Sequence, residues 1–367
     1  MAHDGAQNAA EAGDATRPQG LGTADGPVCI LHIGAEKTGT TSIQESLHAN
    51  RAQLASAGIA WPEFLGHRNH KLLAAAALPP DSEDAAMAGN AFAGSRTAHA
   101  AHRNDVAARI AALAESHGQV LISSEDLQRL PRHAVEALGT ILRPCFTRFR
   151  IVVFLLRQDL LALRRRAQLI RTGHMAPAGF PTLESPAEHR FYDYAALLAD
   201  WAAVFGDEAI LPVPIGEGSS SEGADSVDLF YRALQIDAEA FAPVPRLNAS
   251  PDSPSLEILN RANGMRLLPG DARRSQLERR LARFEPDRRA PVSREEATAF
   301  LNRFADSNAT LSTRWLDGAK AFTSNLESYP QADPRPAIAR EAERRLLLLS
   351  AQADEPDAGE ARRNTAE

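Results

Sequence analysis

A short apolar run followed at once by a glycine- and threonine-rich segment is the strongest constraint on the fold of this chain. Residues 28–33 have the length and composition of a buried strand. Apolar residues then recur on one helical face, at Ile43, Leu47 and Leu54. A strand, a turn and a helix in this order bring unpaired N–H groups and the positive end of a helix dipole to the turn. The segment therefore predicts an anion-binding loop.

The side chains of this loop are those that an oxyanion needs. Gly34 and Gly39 allow the backbone to approach a ligand closely. Lysine supplies a positive charge and hydroxyl side chains supply donors. The predicted ligands of the anion are Lys37, Thr38, Gly39, Thr40, Thr41 and Ser42.

The spacing within the loop separates it from the nucleoside-triphosphatase loop, G-x-x-x-x-G-K-[ST]. Gly34 and Gly39 have the required separation, but Thr40 occupies the position of the lysine, and Lys37 precedes the second glycine instead. A kinase also needs an acidic residue that binds Mg²⁺, and no predicted strand end offers a clear one. A nucleotide kinase therefore stays an alternative that the lysine position argues against.

The rest of the chain alternates strand-like and helix-like segments. Further predicted strands cover 120–122, 151–156 and 209–213. The helix after the loop is expected to end near Gly58, and an apolar stripe over 191–205 predicts one continuous helix before the last strand. Strands that alternate with helices predict an α/β fold, a three-layer arrangement of a parallel sheet flanked by helices. From about residue 225 the pattern is helical.

Composition narrows the class of protein. The 367 residues carry a formal net charge of −7, so nucleic acid is not an expected partner. The two cysteines, Cys29 and Cys145, do not imply a disulfide framework. The N-terminus lacks the pattern of a secretory signal and no apolar run is long enough for membrane insertion, so we expect a cytoplasmic protein. The predicted units are a disordered leader (1–26), an α/β domain (27–325) and a helical or disordered C-terminal tail (326–367).

The loop Lys37-Thr38-Gly39-Thr40-Thr41 closely resembles the 5′-phosphosulfate loop of sulfotransferases that use 3′-phosphoadenosine 5′-phosphosulfate (PAPS). The longer string from His32 to Gln44 is similar to the bacterial branch of that family, whose fold is P-loop-like. Weaker similarities extend over about 28–325. The resemblance implies PAPS as co-substrate, no metal ion, and a small-molecule or saccharide acceptor.

The resemblance also implies roles for particular residues. Lys37 would stabilise the leaving oxygen, and Ser123 lies in a Ser/Glu turn that the family shares. Arg157 would bind the 3′-phosphate. The serine that the family has about eight residues later is absent, and Arg164 or Arg165 occupies its place; Arg165 is retained as the cofactor-binding candidate.

Two residues compete for the role of the base that deprotonates the acceptor. His70 matches the position of a histidine in the family, and its ordinary pKa suits the task. Glu125 follows the second predicted strand of the domain, at the edge where parallel sheets bind their ligands. His32, within the first strand, is interpreted as a core histidine.

Three questions stay open at the level of the sequence: the acceptor, the oligomeric state and catalysis itself. The missing serine favours, as an alternative, a non-catalytic relative that binds a nucleotide or a glycan. Neither an H-x-x-x-H spacing nor a cysteine pair is present, so no metal site is predicted.

Overall fold

The structure is a computed structural model that describes residues 26–34, 38–82, 95–217, 219, 221, 223, 225–239, 241–243 and 251–351. Within these residues five strands form one parallel sheet. The strands are β1 (Val28–His32), β2 (Ile59–Ala60), β3 (Gln119–Ser123), β4 (Arg148–Leu156) and β5 (Ile210–Ile215). The predicted leader and the last part of the predicted tail lie outside the described residues.

The strand order is β2-β3-β1-β4-β5, so β1 lies at the centre of the sheet. His32 pairs in register with Ser123 of β3 on one side and with Val152 of β4 on the other. All five residues of β1 are buried, as expected for a strand covered on both faces. The outermost strand β5 contains Pro212 and Pro214, which an edge strand tolerates because it has one unpaired side.

Helices cover both faces of the sheet. Before β5 these are α1 (Thr40–Ala49), α2 (Arg51–Ser56), α3 (Lys71–Ala77), α4 (Arg96–Ser116), α5 (Arg132–Leu142), α6 (Gln158–Arg171), α7 (Pro186–Tyr192) and α8 (Tyr194–Phe205). After β5 they are α9 (Ser226–Leu234), α10 (Ser253–Gly264), α11 (Ala272–Leu281), α12 (Arg294–Asn302), α13 (Ala305–Trp315) and α14 (Arg335–Ala351). Helix α1 packs on α9, whereas α3, α4, α5 and α8 form a second packed group. Right-handed crossovers that run in opposite directions along a sheet lie on opposite faces of it. This rule accounts for the two groups of helices. Among the described residues, no helix combines the length and apolarity required to cross a membrane.

The predicted α/β fold with a parallel sheet and a helical C-terminal part is confirmed. Two predicted helices are wrong in their extent, because each is interrupted by a polar side chain with distant partners. The amide of Asn50 exchanges hydrogen bonds with the backbone of Ala242 between α1 and α2. Asp193 caps α8 and accepts a hydrogen bond from Ser307, which ends α7. No bounds were predicted for strand β2, since two residues carry no periodicity.

A buried arginine joins the C-terminal helix α14 to the rest of the molecule. The side chain of Arg345 is 2% exposed and makes a bidentate ion pair with Asp252, with N–O distances of 2.9 and 2.8 Å. Asp252 also caps α10, and Glu341 accepts from Nε of Arg345 at 2.9 Å. A buried charge needs such partners because water no longer solvates it.

We expect the substitution Arg345→Met to lower the free energy of unfolding by about 3 kcal/mol, because two carboxylates lose their shared partner. The matched control is Arg344→Met: Arg344 is 58% exposed and also pairs with Glu341, so its loss should cost less than about 1 kcal/mol. Urea unfolding of both variants measures the difference. Equal destabilisation by the two substitutions would contradict the assignment of Arg345 as the buried residue that joins α14 to the start of α10.

Candidate functional site

The predicted anion-binding loop leaves the carboxyl end of β1. Gly34 begins the turn with φ 53° and Gly39 ends it with φ 93°, values that favour glycine. A Cβ atom on Gly39 would lie 2.3 Å from Oγ of Ser226, so the position also lacks space for a larger residue. Residues 35–37, including the predicted ligand Lys37, lie outside the described part of the chain.

The first turn of α1 has the properties of an anion site. Gly39 is its N-cap and has no side chain that could accept from the N–H groups of the turn. The first turn contains no acidic residue, and the first helical bond runs from Ile43 N–H to Gly39 O at 3.1 Å. The N–H groups of Thr40, Thr41 and Ser42 therefore precede the helical ladder, at the positive end of the dipole.

The predicted hydroxyl ligands divide by exposure. Thr41 is exposed and Ser42 is half-buried, whereas Thr38 and Thr40 are 1% and 3% exposed. Oγ1 of Thr40 lies 3.2 Å from the position that a Cβ on Gly34 would take, so Thr40 packs inside the turn. Thr41 and Ser42 are thus the hydroxyls that a ligand can reach from solvent.

Ser123, at the carboxyl end of β3, is the centre of a buried polar network beside this loop. Its N–H donates to Nδ1 of His70 at 3.1 Å, and its carbonyl accepts from the N–H of His70 at 2.9 Å. Its hydroxyl contacts Nδ1 of His32 at 2.8 Å and accepts from Nε2 of Gln44 at 3.4 Å. Ser123 is fully buried, so it supports the loop from behind and does not face solvent.

The contacts of His70 determine its protonation. Because Nδ1 accepts from a backbone N–H, the neutral ring carries its proton on Nε2. Nε2 is buried and has no hydrogen-bond partner among the described residues. Burial lowers the pKa of His70 to about 3, with a smaller contribution from His48. In this state the ring is a donor at Nε2, which is the opposite of what a base requires.

His32 is a core histidine, as its position in the strand predicts. It is fully buried and lies edge-on to the rings of Phe154 and Phe230. Burial lowers its pKa to about 3. Gln44, which donates to the same Ser123 hydroxyl, was missed by sequence reasoning, although its place one turn into α1, on the helix face that the buried Ile43 and Leu47 share, is a usable signal.

Glu125 lies against the loop. Its Cα is 3.3 Å from the position that a Cβ on Gly34 would take. Ser124 N–H donates to the carbonyl of His32 at 3.0 Å, which fastens this turn to β1. Glu125 is half-buried and begins a short 3₁₀ helix, Glu125–Arg129, directly after the carboxyl edge of the sheet.

Arg157 follows β4 and is held in a buried ion pair. Its guanidinium makes two bonds to the carboxylate of Asp159, at 2.8 and 2.9 Å, and a third to the carbonyl of Asn325 at 2.9 Å. Tyr329 donates to the same carboxylate at 2.7 Å, and its pKa is raised by burial and by Asp159. Arg157 is 1% exposed, so a phosphate could reach its guanidinium only if the groups that bury it moved.

Arg165 occupies different surroundings on α6. Its guanidinium carbon lies 3.9 Å from the centre of the Phe191 ring, a cation–π distance. It lines a cavity of about 450 Å³ together with Gln128, Arg129 and Arg190, and Arg157 is not part of that lining. The two arginines predicted to hold one phosphate therefore do not converge on this cavity.

The sheet register explains which predicted residues meet. Ser123 is the direct neighbour of His32, and Glu125 follows two residues later. Arg157 lies five residues beyond Val152, the partner of His32 in β4, which is about 16 Å along a strand. The structure thus brings the described part of the loop, Ser123, His70 and Glu125 together and places Arg157 further out. Asp159 and Tyr329 were missed; only Asp159, two residues from Arg157, could have been suspected.

The buried histidines predict a pH dependence of stability. Their folded pKa values are near 3, below the ordinary value of about 6.5, so the unfolded chain binds protons that the folded chain does not. The stabilisation is complete above about pH 6.5 and is lost as the pH falls towards 3. Each histidine should reduce the free energy of unfolding by about 2 kcal/mol between pH 7.5 and 5.

Urea unfolding at pH 7.5, 6 and 5 tests this expectation (about 1.4 kcal/mol per proton and pH unit at the steepest). Over this pH range the free energy of unfolding should decrease less in His70→Asn than in the unsubstituted protein. Asparagine can accept from Ser123 N–H but does not titrate. His133 is exposed on α5, and His133→Asn should follow the unsubstituted protein. Parallel curves for His70→Asn and the unsubstituted protein would show that His70 is not the titrating group.

Comparison with known proteins gives limited information. No protein-family model matches the chain, and no curated protein matches it significantly. Among solved structures, a sulfotransferase from Alicyclobacillus acidocaldarius is similar, with 16% sequence identity and a TM-score of 0.40 over 77% of this chain and 94% of that one. At this level of similarity the match decides neither the reaction nor the substrate.

Proposed function

We propose that this chain is a sulfotransferase that moves a sulfuryl group from PAPS to a hydroxyl or amine of a small molecule or saccharide. The observation that carries the proposal is the start of α1. It follows a turn with two positive-φ glycines, has no acidic residue in its first turn, and lies beside Glu125 at the carboxyl edge of the sheet. The order of lysine and glycine in the loop, Lys37 before Gly39, favours PAPS over a nucleoside triphosphate.

The reaction requires charge to be stabilised at two atoms. The acceptor oxygen or nitrogen forms a bond to sulfur as the bond from sulfur to the bridging phosphate oxygen breaks. The acceptor proton passes to the base, and negative charge develops on the bridging oxygen of the departing adenosine 3′,5′-bisphosphate. Lys37 and the first-turn donors of Thr41 and Ser42 stabilise that charge. None of these steps assigns a role to a metal ion.

Glu125 is proposed as the base in preference to His70. Glu125 is half-buried and its Cα lies next to the loop, whereas Nδ1 of His70 accepts from Ser123 N–H and burial lowers the pKa of His70. A general base must have a lone pair within reach of the proton it accepts. His70 acts on the site by fixing Ser123 through Nδ1.

For the 3′-phosphate, Arg165 is the stronger of the two predicted ligands. It lines an open cavity, whereas Arg157 is buried against Asp159. The same ion pair favours a second function, a non-catalytic nucleotide- or glycan-binding protein with an altered 3′-phosphate site. Binding of adenosine 3′,5′-bisphosphate in the presence of EDTA is common to both, and sulfated product distinguishes them.

The first test of the proposed function is Lys37→Ala. Product formation from PAPS over a panel of sugar and phenol acceptors should fall by about 10²-fold or more, the effect of losing one oxyanion donor. Calorimetric binding of adenosine 3′,5′-bisphosphate should weaken less. Lys320 is exposed and Lys320→Ala is the matched control, expected to retain activity. Unchanged turnover in Lys37→Ala would refute the mechanism, and binding without turnover in the unsubstituted protein would favour the non-catalytic alternative.

The second test concerns the 3′-phosphate. The chain should bind adenosine 3′,5′-bisphosphate more tightly than adenosine 5′-monophosphate, and Arg165→Ala should reduce that preference by about tenfold or more, the value of a charge-assisted hydrogen bond. Arg164 is the exposed neighbour, and Arg164→Ala should leave the preference intact.

The variant Asp159→Asn distinguishes the contributions of Arg157 and Arg165 to phosphate binding, and it keeps both arginines. If Arg157 also binds the phosphate, this variant should bind the bisphosphate more tightly, since the competing carboxylate is weakened. An unchanged affinity assigns the contact to Arg165 alone. Equal affinities for the bisphosphate and the monophosphate in the unsubstituted protein would contradict the proposed co-substrate.

A further inference from the structure

Two histidines and a glutamate converge at the end of α1 that is opposite the anion-binding loop. Nδ1 of His48 lies 3.5 Å and Nδ1 of His67 lies 3.6 Å from Oε1 of Glu63. All three potential ligand atoms lie within 4.8 Å of one another. His48 belongs to α1, Glu63 begins the short 3₁₀ helix Glu63–Leu65, and His67 follows in the next turn, so three separate backbone positions contribute.

These distances fit a tetrahedral divalent ion. With metal–ligand bonds of 2.0–2.2 Å, two ligand atoms of a tetrahedron are about 3.4 Å apart, close to the two distances from Glu63. The imidazole rings of His48 and His67 have their centres 3.9 Å apart, and two histidines on one ion would need a separation of roughly 5 Å. The side chain of His67 is 68% exposed, which leaves it room to move outward.

A second observation concerns His48. Its Nδ1 is buried, yet it makes no hydrogen bond within the described residues, and it is directed at Glu63. A buried polar atom without a partner is unusual and requires an explanation. Burial, followed by the proximity of His67 and Arg51, lowers the pKa of His48.

The competing cation is weakly held. Nε of Arg51 lies 3.5 Å from Oε1 of Glu63, and both side chains are 46% exposed. An exposed ion pair of this kind contributes about 0–1 kcal/mol. Arg51 also donates from Nη1 to the carbonyl of His48 at 2.9 Å, so it can release the carboxylate and keep a partner.

We propose that His48, Glu63 and His67 form a binding site for a divalent transition-metal ion of the Zn²⁺ class, with water as the fourth ligand. Imidazole and carboxylate are ligands that Zn²⁺ accepts, whereas Mg²⁺ prefers oxygen ligands in an octahedron. The exposure of Glu63 and His67 leaves the fourth position open to solvent.

A metal ion at this site would stabilise the fold and would take no part in the proposed sulfuryl transfer. His48 is part of the helix that begins with the anion-binding turn, and Glu63 and His67 lie on the segment that leads to His70. A shared ion would tie these two segments together. The inference does not depend on the proposed function, because it concerns neither PAPS nor an acceptor.

Calorimetric titration of the untagged full-length chain with Zn²⁺ and with Mg²⁺ tests the proposal. We expect one saturable Zn²⁺ per chain, no comparable binding of Mg²⁺, and an increase in the thermal unfolding midpoint with Zn²⁺. Co²⁺ should give the intense visible absorption of a tetrahedral complex.

Glu63→Gln and His67→Ala should each weaken Zn²⁺ binding by at least about tenfold, since the loss of a direct ligand costs no less than the loss of an outer partner. Both residues are exposed, so these variants are expected to fold whatever His48→Ala does. His133→Ala removes an exposed histidine elsewhere and should bind like the unsubstituted protein. The proposal is overturned if Zn²⁺ does not saturate a single site, if Glu63→Gln and His67→Ala bind as tightly as the unsubstituted protein, if His133→Ala is weakened equally, or if Co²⁺ gives only an octahedral spectrum.

Discussion

The backbone pairing of β1 with both of its neighbours fixes the start of the turn before α1 and the turn after β3 at the carboxyl edge of the sheet. Ile33 N–H donates to the carbonyl of Val152 on one side, and Ser124 N–H donates to the carbonyl of His32 on the other, each at 3.0 Å. These two bonds hold the end of β1 between β3 and β4, so the turn that follows β1 starts at this point of the sheet edge. The start of α1 and the turn after β3 are therefore adjacent because of main-chain hydrogen bonds, and side-chain substitutions at the edge can alter chemistry without moving the scaffold.

Charge at this edge is distributed unevenly. The chain as a whole is acidic, with a net charge of −7, so attraction of an anion must be local. One strong cation, Arg157, is already neutralised by Asp159. The start of α1 carries no such neutralising group in its first turn. Arg157 and the start of α1 both look positive in the sequence. They differ in the electrostatic potential that they present to an anion, because Asp159 neutralises Arg157.

The sequence was informative where structure is local and uninformative where it is not. The central strand and the positive-φ glycines of the turn after it follow from a short apolar run and the spacing of Gly34 and Gly39. The breaks at Asn50 and Asp193 could not be predicted, because their partners, Ala242 and Ser307, are far along the chain. The tautomer of a buried histidine is also invisible in a sequence, since it depends on which neighbouring atom donates. Residue types were therefore predictable at the site, whereas their protonation and pairing were not.

Tyr329 has a consequence for how the chain can be divided. Its hydroxyl group donates to Asp159 at 2.7 Å, and the carbonyl of Asn325 accepts from Arg157 at 2.9 Å. A fragment that ended at residue 325, where the sequence pattern of the domain fades, would keep the carbonyl but lose the tyrosine and open a buried carboxylate to water. Fragments for crystallisation or domain exchange should extend past this residue, because the end of the sheet is completed by a segment that is remote in sequence.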